Sequence, residues 1–167
     1  MTDLLFLLFM IYFTTRNSIL SENITILSNM PQYHYYILFY FFLFIVYYSY
    51  SFFKYTKNKF VLLAALLMYT GLLFPYKVDT VNGTLHVMLI QLSVLIILIV
   101  LIHYIYHLSY TNYNQSLQLL HLISSAFLFI LTIYFFCGCI NGLIECLLLI
   151  FLILIKQNIK NHSIRSD

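Results

Sequence analysis

Charge is what this chain has least of. Eight Lys and Arg and five Asp and Glu in 167 residues make 8%, against about 25% in an ordinary soluble domain. Together with 63% hydrophobic residues, this leaves no room for a soluble catalytic domain. The formal net charge of +3 comes from Lys and Arg clusters between apolar runs, so it reads as an orientation signal and not as a nucleic-acid footprint. Cysteine is scarce too: Cys137, Cys139 and Cys146 are an odd number, and Cys137-Gly138-Cys139 lacks the second pair a zinc site needs. No redox role, metal or cofactor is expected. Leu4 to Phe13 has the length of a signal-peptide core, but Asp3 precedes it, no basic residue does, and no small-x-small site follows. It reads as a short first membrane segment.

There is no tryptophan, and there are only two prolines and four glycines. Against that scarcity, Leu72 to Gln91 stands out as the place where Pro75, Gly83, Asp79 and His86 gather between two long apolar runs. Any chemistry is expected there.

What is present is a succession of apolar runs, each to be weighed against the roughly 20 residues a helix needs to cross about 30 Å of hydrocarbon. The expected fold is all-α: a polytopic transmembrane helix bundle of six spans, forming a single integral membrane domain over 1–167. The spans fall near 4–15, 33–53, 60–74, 85–106, 117–136 and 140–155. Arg16 to Gln32, with Asn17, Glu22 and Asn23, reads as a polar loop or short surface helix. Lys77 to Thr84 reads as a second loop with Asn82-Gly83 as its turn, and His107 to Ser116 as a third. The tail from Lys156 reads as polar and mobile.

Six spans put both termini on one side, and the positive-inside rule makes that side cytoplasmic: Lys54, Lys57, Lys59, Lys156, Lys160 and Arg165 against Arg16 and Lys77. The free use of Phe, Tyr, Ile and Asn fits an AT-rich bacterial genome, so the expected location is a bacterial cytoplasmic membrane. The lipid bilayer is the expected partner, and nucleic acid is excluded.

On helical wheels, His86, Ser93, His103 and His107 share an arc of the fourth span; Gln118, His121, Ser125 and Thr132 share one of the fifth; Asn141, Glu145 and Lys156 share one of the sixth. Lipid cannot satisfy these groups, so the three stripes are expected to bury against one another. Glu145 is the costliest residue, needing a proton, a partner or water. Asp79, His86 and Glu145 are the candidate site, with a Glu145–His86 pair the favoured contact. His103 and His107 have the i, i+4 spacing that lets two imidazoles meet one metal, with His121 on the next span, but interfacial solvation explains all three and no metal is assigned.

At Thr70-Gly71-Leu72-Leu73-Phe74-Pro75, Asp79, Gly83-Thr84-Leu85-His86 and Asn141-Gly142-Leu143-Ile144-Glu145, the chain resembles a bacterial family of six-span membrane proteins known as domain of unknown function number 998. Asn23 to Pro31 is similar to that family's polar segment after the first span. The resemblance implies six helices, a bacterial cytoplasmic membrane and an outward-facing cluster of Asp79, His86 and Glu145, with no established activity. Cys146 stands where relatives carry a basic residue, which leaves Glu145 needing another partner. Three functions follow as expectations: an outward-facing polar pocket that binds or conducts a small ligand or lipid headgroup; an intramembrane hydrolase using the Asp/His/Glu cluster; or a non-catalytic interaction or immunity-type protein.

Overall fold

The computed structural model describes residues 1–16, 24, 29–77, 79–138 and 140–163, the last three as main chain only. Asn17, Glu22, Asn23, Cys139 and Arg165, and positions 25–28 of the resemblance, lie outside the described residues. Among the described residues the fold is all helical: α1 Thr2–Thr15, α2 His34–Thr56, α3 Phe60–Leu73, α4 Val81–Thr111, α5 Tyr113–Cys137 and α6 Gly142–Ser163. Four of these, α2, α4, α5 and α6 through Lys160, are long and apolar enough to cross a membrane. α1 and α3 have 14 residues each, about 21 Å of helix, which falls short of a full bilayer core.

Parts of three segments expected as loops or tail are helical, each for a visible reason. α4 starts at Val81 because Thr80 caps it: its Oγ1 accepts the Gly83 N–H at 3.1 Å and its carbonyl accepts the Thr84 N–H at 3.0 Å. Asn82-Gly83 is therefore the first turn of a helix and not a hairpin turn. Between α4 and α5 the polar stretch is broken at Asn112 alone, whose Oδ1 accepts the Gln115 N–H at 3.2 Å and so starts α5 at once. The tail continues α6 to Ser163, with Ile155, Lys156 and Ile159 all buried.

The chain forms two compact units, Thr25–His107 and Met1–Ile24 with Leu108–Asp167. In the first, α2 buries Ile37, Tyr40, Ile45, Tyr48 and Phe52, one stripe at helical spacing. Phe42 of α2 meets Tyr69 of α3 edge-on, with ring centroids 5.5 Å apart. α3 offers small groups to α4. Ser93 Oγ donates to the Ala64 carbonyl at 2.7 Å, and a Cβ on Gly71 would stand 3.1 Å from Ile90 Cγ1 and 3.2 Å from Leu89 Cβ.

In the second unit α1 runs antiparallel to α6, pinned at both ends. Thr14 Oγ1 lies 3.7 Å from Cys146 Sγ, and Lys156 Nζ donates to Asp3 Oδ1 as an ion pair. Asp3 to Thr14 spans about 16 Å along α1 and Cys146 to Lys156 about 15 Å along α6, so the two contacts are in register. α5 packs on α6, where the Phe129 and Phe151 rings approach to 6.4 Å. Its expected polar stripe is not buried. Gln118, His121, Ser125 and Thr132 are exposed, while Gln115, Ser116, Leu119 and Ala126 turn inward. Thr132 needs no neighbour, because its hydroxyl donates to the Leu128 carbonyl one turn back at 2.8 Å.

Lys156 is buried and Asp3 keeps a fifth of its side-chain surface open. Asp3→Ala is therefore expected to destabilise by about 1–3 kcal/mol, less than the about 3–5 kcal/mol for stripping one partner from a fully buried pair. Thermal unfolding of the purified protein in detergent checks this, with Asp3→Ala/Lys156→Met recovering part of the loss. Equal losses in the single and double variants would mean the pair contributes nothing beyond packing.

Candidate functional site

The sequence points to the connection between α3 and α4, and the physical reason starts with Pro75. A helical carbonyl at position 71 would normally accept the N–H of residue 75, and proline has none. Gly71 O is instead approached by the Phe74 N–H at 3.1 Å and by His86 Nδ1 at 2.9 Å, and the same ring nitrogen lies 3.0 Å from Phe74 O. Carbonyls only accept, so Nδ1 carries a proton and donates. In the neutral ring the acceptor is then Nε2. His86 is buried and serves as the cap that proline denies to α3.

The rest of the connection is folded onto the start of α4. Asp79 adopts a left-handed backbone, φ 60°, a conformation aspartate tolerates better than most residues. Thr80 Oγ1 donates to Lys77 O at 2.7 Å. A Cβ on Gly83 would fall 2.0 Å from that same Lys77 oxygen, so only glycine fits against the Lys77 main chain. Asn29 Nδ2 donates to Tyr76 O at 2.5 Å, tying the segment before α2 to the same connection.

These contacts shape an open cleft of about 410 Å³ lined by Asn29, His34, Pro75, Tyr76, Lys77, Thr80 and Asn82. The Tyr76 ring lies 5.5 Å from the His86 ring, centroid to centroid, so the buried imidazole backs a lining residue without itself lining the cleft. Asp79 is exposed in the turn. The lining surface is mostly apolar and carries two carboxamides, two hydroxyls, an imidazole and one lysine.

Glu145 belongs to the other unit and is held there. Asn141, fully buried, caps α6 by accepting the Ile144 N–H on Oδ1 at 3.1 Å. This puts Glu145 in the first turn of α6, where the helix dipole favours a carboxylate by about 0.3–1 kcal/mol. Its Oε2 accepts the Ile24 N–H at 2.8 Å. Behind it, the Thr14 hydroxyl donates to the Met10 and Ile11 carbonyls, each at 3.0 Å, which leaves the Cys146 thiol to donate to Thr14 Oγ1. Thus His86 and Glu145 each have a main-chain partner within their own unit.

His103 and His107 stack edge to face with centroids 4.6 Å apart on α4, and His121 is exposed on α5. Among the described residues no three His, Cys, Asp or Glu side chains gather as a metal site would require.

Two substitutions test this reading. His86→Leu should lower stability by about 1–3 kcal/mol by removing the side-chain donor to Phe74 O and leaving Gly71 O with the Phe74 N–H alone. His86→Asn, whose amide N–H sits close to the Nδ1 position, should recover part of that. Gly83→Ala should be more damaging than Gly138→Ala, since a Cβ at Gly138 (φ 71°) meets nothing within 4 Å and costs only backbone strain. Melting curves in detergent, followed by circular dichroism, give the ranking. Equal effects at the two glycines would contradict the close approach of Lys77.

No protein-family model, no curated protein and no solved structure matches the chain.

Proposed function

We propose that this is a bacterial integral membrane protein of the cytoplasmic membrane that binds a small polar ligand or lipid headgroup in the outward-facing cleft between α3 and α4. The observation that carries the reading is the cleft itself: about 410 Å³ bounded by Asn29, His34, Tyr76, Lys77, Thr80 and Asn82. It is held open by a wall whose main chain is pinned by His86 and Gly83. Hydrogen-bonding groups of both kinds with a single cation suit a polar or zwitterionic ligand. In this reading Lys77 contributes charge and Asn29 and Asn82 contribute direction, while His86 positions the wall. The excess of Lys and Arg at Lys54, Lys57, Lys59, Lys156, Lys160 and Arg165 supports the same picture, with both termini cytoplasmic and this cleft on the opposite face.

Purified full-length protein should be stabilised by one or more soluble headgroup analogues, such as glycerol phosphate or phosphoethanolamine, in a thermal-shift series. Lys77→Gln/Asn82→Ala should reduce that shift without changing the melting point of the unliganded protein. Stabilisation that survives the double substitution would place binding elsewhere and overturn the proposal.

The orientation is tested separately by reporters fused at residue 167 and inserted at Lys77. Cytoplasmic activity at the first and extracytoplasmic activity at the second are expected. The reverse pattern would invert the assignment of the cleft.

A further inference from the structure

The far end of the same unit carries a second cleft, of about 600 Å³, where the α2–α3 connection meets α4. Its chemistry is different. Lys57, Asn58 and Lys59 line one side, and His103, Tyr104 and His107 the other, and no carboxylate is in its wall. Lys57 closes α2 in a left-handed conformation, φ 53°, with its N–H on Phe53 O at 2.9 Å. Asn58 Oδ1 then accepts the Phe60 N–H at 3.0 Å to open α3. The two lysines are therefore displayed by a short, doubly capped turn at the N-terminus of a 14-residue helix, whose dipole adds positive potential.

Apolar residues on the same two helices, close in sequence to the lining residues, say what kind of anion fits. Phe60 and Leu63 on α3 and Ile99 and Ile102 on α4 are all strongly exposed. Cations at the head of exposed apolar helix surface match a molecule with a phosphate at one end and hydrocarbon at the other. We propose that this cleft holds the phosphate of an anionic phospholipid, with Lys57 and Lys59 pairing its charge and His103, Tyr104 and His107 donating hydrogen bonds. The site is independent of the cleft at the other end of α3, and neither proposal requires the other.

The test uses full-length protein in neutral detergent, with native mass spectrometry and thermal shift reading retention of phosphatidylglycerol, phosphatidylcholine and inorganic phosphate. Phosphatidylglycerol should bind most tightly. At about 1 kcal/mol per lysine near a charged surface, Lys57→Gln/Lys59→Gln should weaken it about 30-fold. His103→Gln/His107→Gln should weaken it less. Lys54→Gln is the control, because Lys54 is equally exposed and lies against the Tyr55 ring outside the cleft. Loss of binding in Lys54→Gln as large as in the double variant would show general surface attraction and overturn the site. Equal retention of the two lipids would do the same. Protection by inorganic phosphate equal to that by phosphatidylglycerol, and lost in Lys57→Gln/Lys59→Gln, would keep the phosphate chemistry and overturn the lipid source.

Discussion

A hydrogen-bonding group on the main chain that has no partner in hydrocarbon costs several kcal/mol, and His86, Ser93 and Glu145 are each placed to meet that cost. Pro75 stops α3 and takes away the donor that Gly71 O would have had. His86 supplies it. Glu145 answers the opposite need, offering an acceptor to the Ile24 N–H. Ser93, reaching the Ala64 carbonyl, does on a smaller scale what His86 does. Of the three side chains that look like a catalytic set in the sequence, His86 and Glu145 thus bond the backbone of neighbouring segments, while Asp79 is exposed.

That occupation does not make the α3–α4 connection chemically inert. A histidine fixed through Nδ1 and a glycine pressed against Lys77 O give the connection a wall that cannot easily collapse. The cleft it bounds is lined both by side chains that hold the main chain, Asn29 and Thr80, and by Lys77 and Asn82, which are exposed. The exposed polar side chains of this connection stand next to the buried imidazole that holds its main chain.

The helices were legible because an apolar run of sufficient length leaves few alternatives, and the placement of Pro75 fixed the end of α3 to within two residues. What was not legible has a common cause. Helix periodicity says which residues share a face but not which neighbour that face meets. His86 and Ser93 share a stripe as expected, yet it faces α3 and not another polar stripe. Gln118, His121, Ser125 and Thr132 also share a face, and it is the exposed one. Glycine after asparagine predicts a turn at Gly83; only the approach of Lys77 O shows that glycine is needed there inside a helix. Lys156 shares the stripe of Asn141 and Glu145, which predicts burial, yet it also opens a polar tail; only its partner, 153 positions earlier in the chain, shows which of the two holds.

Asp3 and Lys156 also bear on how a helix of 14 residues can belong to a membrane bundle. α1 alone is too short to cross about 30 Å of hydrocarbon. Its two contacts with α6 are spaced almost equally along both helices, so α1 matches the middle of a 22-residue partner and not its full length. The pair is therefore held at its ends by polar contacts and between them by Phe6, Met10 and Phe13, which are buried. Removing the Asp3 carboxylate would take away one of the two described polar contacts between α1 and α6, at the end of the pair opposite Thr14 and Cys146. The ion pair constrains the register because sliding α1 along α6 would draw a carboxylate away from a buried ammonium, which costs more than separating a hydroxyl from a thiol.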